Sequence, residues 1–303
     1  MRTLYLHVGW SKTGTSAIQM QLQAQKDQLL DKKILYPQSL QWPDHSHHPF
    51  ALSFQANGSY ASDMSPKQAI QKLQDELNAS NATNVLISSE LSPFYFNNTD
   101  FKNFAESNFD IVKVIFTVRR QSEVLLSLYN QLIKDPKVRF KGSLFSLGMR
   151  NISWLNYFMN VKRWADVVGN ENIIIIPYSK NVVGDFISLF GLELFGIEKS
   201  INPSLPTRCL PVIQNFTKNA TDDASYIRIR DAIVHKSLDI PESENWFTLF
   251  TVAEQSAFND YFEMSNNHLW NSFFSLGGFS NETREIKDVK SLPPGFKFED
   301  LPK

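Results

Sequence analysis

The 303-residue sequence has little cysteine, no surplus of either charge and no long apolar run. Its one cysteine, Cys209, cannot form an internal disulfide, which favours a reducing compartment. Thirty basic side chains balance 31 acidic ones, so bulk charge does not favour nucleic acid or an anionic membrane as a partner. No apolar run reaches the roughly 18 residues that a membrane-spanning helix needs, so we expect no membrane span.

Two further features bear on the compartment. A first strand is predicted to begin by Thr3, which leaves no room for a signal peptide. Eight glycosylation sequons occur, at Asn57, Asn78, Asn81, Asn97, Asn151, Asn215, Asn219 and Asn281. They indicate either a secretory lumen or chance matches in a chain rich in Asn and Ser. Without a leader or paired cysteines the second interpretation is preferred, and we expect a cytoplasmic protein.

Short apolar runs alternate with segments of helical spacing along most of the chain. Strands are predicted at 3–8, 34–37, 85–88, 111–118 and 173–176. Helices are predicted at 15–30, from 66 onward, and at 121–133, 154–168, 180–190, 222–236 and 252–274, with a polar connection at 135–150. This alternation predicts an α/β fold of three layers, with a central parallel sheet flanked by helices.

One domain spanning residues 1–303 is the simplest interpretation of this order. It would carry an irregular insertion near 38–65, which is rich in Ser, His, Pro and Trp, and a helical C-terminal region. No internal repeat, low-complexity tract or obvious linker argues for a second domain.

The segment HVGWSKTGTS, residues 7–16, joins the first predicted strand to the first predicted helix. Gly9 and Gly14 allow the backbone to approach an anion closely, and the helix end adds about half a positive charge. The other donors of the loop are Lys12, Thr13, Thr15 and Ser16. The standard nucleotide loop reads G-x-x-x-x-G-K-[ST], whereas Thr15 occupies the lysine position here. The segment therefore predicts an anion-binding loop with an early lysine.

The arrangement G-x-x-K-T-G-T-[ST] resembles the 5′-phosphosulfate loop of sulfotransferases that use 3′-phosphoadenosine 5′-phosphosulfate (PAPS). The resemblance implies that Lys12 contacts the oxygen bridging sulfur and the 5′-phosphate, where negative charge grows as the bond breaks. It further implies that the 5′-phosphate is held by the loop amides and by Thr13, Gly14, Thr15 and Ser16. A P-loop-like fold, PAPS as co-substrate and no required metal are the expectations that follow.

A second basic site ends the strand at 111–118, in VKVIFTVRRQSEVLLSLYNQ. Arg119 follows this strand, and Ser127 comes eight residues later in the predicted helix. Arginine binds a dianionic phosphate through its planar fork, and a helical serine can add a hydroxyl contact. Taken alone, the pair is better explained as a solvated strand end with an incidental serine. In the sulfotransferases that the loop resembles, an arginine and a serine at this spacing bind the 3′-phosphate of PAPS. Those proteins usually have a proline two residues after the arginine, where this chain has Gln121.

A carboxylate lies between these sites, in NVLISSELSPFYF, residues 84–96. Glu90 could hold magnesium for phosphoryl transfer, act as a general base, or serve only as a helix cap or ion-pair partner. The stretch from Glu90 resembles the E-K-S-P-x-Y-F segment of heparan-type carbohydrate sulfotransferases, whose glutamate is the catalytic base. Leu91 replaces the lysine of that segment, so a second positive charge must come from elsewhere. The basic residues considered for it are Lys134, Arg139 and Lys141.

Histidines cluster in Asp44-His45-Ser46-His47-His48. The cluster could bind a metal or supply a catalytic imidazole, but without a cysteine partner a polar loop is the simpler interpretation. The segment follows the first βα unit and could fold over a substrate, so His48, and then His45, are candidates for contact with the acceptor. No metal ligands are predicted, and His7 is interpreted as a packing residue.

Together these features predict a PAPS-dependent sulfotransferase whose acceptor is a hydroxyl-bearing small molecule or glycan, with no nucleic-acid partner. The carbohydrate preference comes from the resemblance around Glu90 alone. Two alternatives remain. A P-loop kinase-like phosphotransferase would need magnesium and a lysine after Gly14. A non-catalytic nucleotide- or glycan-binding protein would keep Lys12 and Arg119 but show no turnover.

Overall fold

A computed structural model describes residues 1–55, 62–92, 94–196, 204–217, 220–237 and 249–279. The sequons at Asn57, Asn219 and Asn281, together with Pro93 and part of the predicted insertion at 38–65, lie outside the described residues. The chain divides into two compact units. The first takes its described residues from Met1–Arg119, Tyr157–Lys199 and Ser265–Ser280, and the second from Arg120–Asn156, Ser200–Met264 and Asn281–Lys303.

The first unit contains a parallel sheet of six strands in the order β2-β3-β1-β4-β5-β6. The strands are β1 Thr3–Gly9, β2 Ile34–Leu35, β3 Asn84–Ser88, β4 Ile111–Val118, β5 Ile173–Pro177 and β6 Phe274–Ser275. Five successive residues at the end of β4 are buried, which is typical of a strand covered on both faces. The predicted α/β fold with a central parallel sheet flanked by helices is therefore confirmed.

The helices are α1 Thr15–Ala24, α2 Lys26–Asp31, α3 His48–Ser53, α4 Pro66–Ala79, α5 Thr99–Asn108, α6 Gln121–Lys134, α7 Leu144–Arg150, α8 Ile152–Leu155, α9 Tyr157–Val168, α10 Val182–Ser188, α11 Leu210–Phe216, α12 Asp223–Ser237 and α13 Val252–Ser272. Helices α6 to α8, α11 and α12 belong to the second unit, and α13 begins there and ends in the first. Within the described residues, no helix has the length and apolar character that a membrane crossing requires.

The helix predicted at 15–30 is interrupted at Gln25, which separates α1 from α2. Gln25 is buried, and its side-chain amide donates a hydrogen bond to the Glu193 carbonyl at 2.8 Å. A buried polar side chain requires such a partner. The contact fixes Gln25 at φ −111° and ψ 20°, which ends the first helix.

The second unit has an apolar core of its own, to which α6, α11 and α13 contribute Val124, Ile213 and Phe262. Part of the segment predicted as a polar connection at 135–150 is helical, because α7 covers its last seven residues. A Cβ on Gly148 of α7 would lie 2.8 Å from Leu125 and 2.9 Å from Phe258, so the missing side chain permits close packing there. The expectation of a single domain stays a prediction.

Candidate active site

The candidate site lies at the carboxyl edge of the sheet in the first unit. Strand β1 pairs with β3 on one side and with β4 on the other. The chain leaves β1 toward β2 and leaves β4 toward β5, in opposite directions along the sheet. Open parallel sheets bind ligands at the carboxyl ends of strands where the direction switches in this way. The loop after β1, Glu90 after β3 and Arg119 after β4 all belong to this edge.

The loop between β1 and α1 has an unusual backbone. Gly9, Lys12 and Gly14 have φ values of 86°, 68° and 87°. Glycine adopts this left-handed region easily, but at Lys12 it costs on the order of 1–3 kcal/mol, and such strain concentrates at functional sites. Lys12 is half-buried at the turn. The predicted anion-binding lysine is therefore held in a specific backbone conformation.

Thr13 fastens the loop to the sheet. Its side chain is buried, and its hydroxyl donates to the Trp10 carbonyl while lying 2.6 Å from the Thr117 hydroxyl of β4. The hydroxyl is thus engaged inside the protein, so Thr13 can serve an anion only through its backbone N–H. Thr15 is also buried, whereas Ser16 is exposed at the first turn of α1. Among these predicted phosphate ligands, Ser16 has an exposed side chain, whereas the side chains of Thr13 and Thr15 are buried.

His7 lies on β1 behind the loop and is completely buried. Its Nδ1 is 2.8 Å from the Ser88 hydroxyl, and its Nε2 is 3.4 Å from the Thr117 hydroxyl. Burial lowers the pKa of His7 to about 3, so the ring is neutral at pH 7. These contacts join three neighbouring strands and agree with a packing role.

Glu90 lies directly against the loop. A Cβ built on Gly9 would be 2.7 Å from the Glu90 Cβ, a distance that no real side chain tolerates. The Glu90 side chain is 17% exposed, and Oε2 accepts a hydrogen bond from Gln19 Nε2 of α1 at 3.1 Å. Its other oxygen, Oε1, lies 3.9 Å from His48 Nε2. The structure therefore brings together the loop, Glu90 and His48.

The other histidines of the 44–48 cluster have structural contacts. His47 Nε2 lies 2.8 Å from the Pro37 carbonyl, and its Nδ1 accepts from the Ser88 N–H at 3.0 Å. Burial lowers the pKa of His47 to about 4. The His45 carbonyl accepts a hydrogen bond from the Tyr36 hydroxyl at 2.7 Å. In the part of the chain that the structure describes, no three His, Cys, Asp or Glu residues are grouped to hold a metal.

Arg119 follows β4, next to the loop strand. Its guanidinium lies 4.4 Å from the ring centroid of Tyr178, and its carbonyl accepts a hydrogen bond from the Tyr157 hydroxyl at 2.6 Å. Stacking on an aromatic face restricts the guanidinium plane. Ser127 is half-buried on α6 in the second unit, so its pairing with Arg119 stays a prediction.

Of the basic residues considered for a second positive charge, Arg139 has internal partners in the second unit. Its guanidinium pairs with Asp223 at 2.5 Å, donates to the Ala220 carbonyl at 3.0 Å and lies over the Tyr226 ring. These contacts favour a structural role for Arg139.

Sequence reasoning missed two residues of the site, Gln19 and Tyr178. Gln19 is 1% exposed beside Ile18, so a polar residue on the buried face of α1 was the available signal. Tyr178 follows β5, and its N–H donates to the Val118 carbonyl at 2.7 Å, which carries its ring to Arg119. No sequence pattern indicates that contact.

No family model matches the sequence. An uncharacterised protein from Archaeoglobus fulgidus is 25% identical over 180 residues, and the match covers 55% of this chain and 47% of that protein. The chain thus spans about half the length of the curated relative it matches.

Two solved structures are similar to the chain at low scores. A sulfotransferase from Alicyclobacillus acidocaldarius is 19% identical with a TM-score of 0.41, and the match covers 78% of this chain and 96% of that one. The sulfotransferase domain of a Synechococcus olefin synthase is 13% identical with a TM-score of 0.34, covering 86% of this chain and 94% of that domain. Both neighbours are sulfotransferases, and at these scores the likeness carries no activity over to this chain.

Proposed function

We propose that the chain is a PAPS-dependent sulfotransferase that transfers a sulfuryl group to a hydroxyl of a carbohydrate or glycoconjugate. The observation that carries this proposal is the contact between Gly9 and Glu90, because a Cβ on Gly9 would lie only 2.7 Å from the Glu90 Cβ. An anion-binding loop and a candidate general base are thus direct neighbours. That is the arrangement needed when a base must act on a nucleophile attacking the group bound in the loop.

The residues of the sheet edge fit the charge of the donor. Lys12, together with the backbone N–H groups at the start of α1, offers a cationic and hydrogen-bonding surface for the 5′-phosphosulfate. Arg119 has a stacked guanidinium that suits a second phosphate, the 3′-phosphate of PAPS. We assign Gly14, Thr15 and Ser16, at the start of α1, to the 5′-phosphate, and the resemblance in sequence alone assigns Ser127 to the 3′-phosphate.

The donor supplies the sulfuryl group and leaves as 3′-phosphoadenosine 5′-phosphate. Glu90 takes the proton of the acceptor hydroxyl as that oxygen bonds to sulfur. Lys12 stabilises the negative charge on the oxygen that loses its bond to sulfur. The proton therefore ends on the Glu90 carboxylate, and the new bond is a sulfate ester.

The acceptor side of the proposal rests on the segment around Glu90 and on the neighbouring histidines. The sequence from Glu90 resembles that of carbohydrate sulfotransferases, which favours a sugar hydroxyl. His48 lies beside Glu90, and Trp42, which is 37% exposed, packs perpendicular to the His48 ring at 5.1 Å. His45 belongs to the same loop. The single cysteine supports a reducing compartment, and we include a cytoplasmic location in the proposal.

Transfer from ³⁵S-labelled PAPS to a panel of sugars, polyols and phenols tests the proposal. Label should appear in a sugar or polyol, and transfer should survive excess EDTA because Lys12, Arg119 and backbone amides meet the donor charge. Transfer of the γ-phosphate of ATP that EDTA abolishes and magnesium restores would instead identify a phosphotransferase. Binding of 3′-phosphoadenosine 5′-phosphate without turnover on any acceptor would identify a non-catalytic binding protein.

A further inference from the structure

Behind Glu90 lies a row of polar side chains that the proposed reaction does not use. Ser89 Oγ lies 2.7 Å from His48 Nδ1, and His48 Nε2 lies 3.9 Å from Glu90 Oε1. On the opposite side, Gln19 Nε2 donates to Glu90 Oε2 at 3.1 Å. Each carboxylate oxygen therefore has a different nitrogen as its neighbour. The members of the row come from α1, α3 and the end of β3.

The hydrogen bonds of Ser89 decide how His48 carries its proton. The backbone N–H of Leu91 donates to Ser89 Oγ at 3.2 Å, so this oxygen already acts as an acceptor. Within the described residues the other partner of Ser89 Oγ is His48 Nδ1, so a ring that accepts there gives the buried hydroxyl hydrogen an acceptor, whereas an Nδ1–H would leave that hydrogen without one. A neutral imidazole that accepts at Nδ1 carries its proton on Nε2, the atom that faces Glu90. Ser89 is completely buried, so it orients the ring and does not reach a substrate.

We propose that His48 is a positioning residue for Glu90, held by Ser89 as a neutral Nε2–H donor toward Oε1 while Gln19 donates to Oε2. The inference rests on the proposed role of Glu90 as the general base. Gln19 already holds Oε2 at 3.1 Å, and an N–H of His48 that closes on Oε1 would fix the carboxylate plane and the direction of its remaining lone pairs. The 3.9 Å separation leaves room for the contact to shorten in the substrate complex, as catalytic hydrogen bonds often do.

A neutral donor suits a base better than a charged one does. A protonated His48 beside Glu90 would stabilise the carboxylate and weaken it as a proton acceptor. The groups that face His48 are Glu90 from the end of β3, Asp44 and Trp42 from the preceding loop, and His47 before it in sequence. Burial lowers the pKa of His48, and the two carboxylates oppose this change without cancelling it.

Histidine NMR tests the tautomer without any enzyme assay. In the full chain labelled with ¹⁵N-histidine, long-range proton–nitrogen spectra should show His48 as neutral at pH 7 with its proton on Nε2. His48→Gln assigns the signal, and Ser89→Ala should mix the two tautomers because the hydroxyl that selects one is gone. A charged His48 at pH 7, or a proton on Nδ1, would overturn the proposal.

Kinetics separate positioning from packing. His48→Ala should lower kcat about tenfold, the scale of one hydrogen bond to a charged group, and leave donor KM unchanged. The acid limb of the kcat profile should move to higher pH, because the ionised Glu90 loses a donor. His48→Gln, which restores an N–H near the same place, should recover most of the rate. His235→Gln, at an exposed position on α12, is the matched control.

The possible failures are distinguishable. If His48→Gln is as slow as His48→Ala and neither moves the acid limb, the residue is only a packing element and the inference is wrong. If His48→Gln is inactive while Glu90→Gln retains activity, His48 is itself the base. If the unmodified chain transfers sulfuryl to no acceptor, the proposed function fails, whatever tautomer the spectra show for His48.

Discussion

At the scale of single residues, Glu90 is the side chain whose replacement separates binding from chemistry. Glu90→Gln keeps the shape and removes the proton acceptor, so turnover should fall by about 10²- to 10⁴-fold. Binding of 3′-phosphoadenosine 5′-phosphate should barely change, because the carboxylate contributes little to holding phosphate. Steady-state rates and calorimetry on the same preparation measure both effects. Lys12→Ala should instead weaken donor binding as well as rate.

Glu106→Gln is the matched control for this substitution. Glu106 is 60% exposed on α5 and pairs only loosely with Lys102, at 3.8 Å. An exposed pair of this kind is worth little, so rate and stability should both stay near those of the unmodified protein. Near-normal turnover in Glu90→Gln would remove the general-base role and the main support for a carbohydrate acceptor.

Arg119 should determine the choice of nucleotide. The proposed contact of its guanidinium with the 3′-phosphate predicts that the protein binds 3′-phosphoadenosine 5′-phosphate at least about tenfold better than AMP, since a lost charged partner costs roughly 2–5 kcal/mol. Arg119→Ala should remove most of this preference while AMP binding stays nearly constant. Calorimetric titration of both nucleotides gives the comparison. Arg228→Ala, at an exposed position on α12, should preserve the preference.

Equal affinity of the unmodified protein for the two nucleotides would contradict the sulfotransferase proposal, because AMP lacks only the 3′-phosphate. Loss of affinity for both nucleotides in Arg119→Ala would mean that Arg119 supports the fold. The stacking of Arg119 on Tyr178, at 4.4 Å, makes that second result worth checking by thermal unfolding.

At the scale of elements, the loop between β1 and α1 depends on a glycine where it meets Glu90. Gly9→Ala would place a Cβ 2.7 Å from the Glu90 Cβ and 3.0 Å from its Cα, at a φ of 86° that alanine adopts poorly. Backbone atoms cannot rotate away, so the substitution should destabilise the protein by more than about 1 kcal/mol and displace Glu90. A lower urea midpoint and a reduced rate are the expected measurements.

Gly196→Ala is the control for the loop substitution, because a Cβ at that position would have no heavy atom of the described residues within 4 Å and the residue does not have a positive φ. Its urea midpoint should remain close to that of the unmodified protein. If Gly9→Ala were equally neutral, the close approach of the loop to Glu90 would be wrong.

Helices and strands with strong local sequence patterns could be predicted from the sequence. Elements that are short, or that form only through tertiary pairing, could not. Strand β4 was predicted at 111–118 and is observed at Ile111–Val118, because a strand buried on both faces gives an unbroken apolar run. Strand β6 has only two residues, and its existence depends on pairing with β5. The six-residue helix α3 is too short to show a period. The break at Asn156 between α8 and α9 was likewise missed.

The same distinction holds in the candidate site, where features formed by adjacent residues could be predicted and contacts between distant residues could not. The loop was readable because its glycines, lysine and hydroxyl residues are adjacent in sequence. The contact of Gln19 with Glu90 joins residues 71 positions apart, and that of His48 with Ser89 spans 41. Such contacts follow from the order β3-β1-β4 in the sheet, which sequence periodicity does not specify. His48 was predicted near the acceptor, whereas its pairing with Glu90 came only from the structure.

At the scale of the whole molecule, two buried histidines should make stability depend on pH. Burial lowers the pKa of His7 to about 3 and that of His47 to about 4, against 6.5 for an exposed histidine. Between these values the unfolded chain binds more protons than the folded one, so acid favours unfolding. The stabilisation is complete above pH 6.5 and declines as the pH falls toward 4 and then 3.

Urea unfolding at pH 7.0, 6.0 and 5.0 should therefore show a falling free energy of unfolding, by at most about 1.4 kcal/mol per pH unit for each buried histidine. Most exposed carboxylates titrate near pH 4, so this interval reports mainly on histidine. His235→Gln, at an exposed position on α12, is the control and should leave the slope unchanged. In NMR titrations of the folded protein, the His7 and His47 rings should not take up protons down to pH 5. A constant free energy of unfolding across this interval, or uptake of protons by either ring near pH 6.5, would show that these histidines are not buried from water in the folded protein.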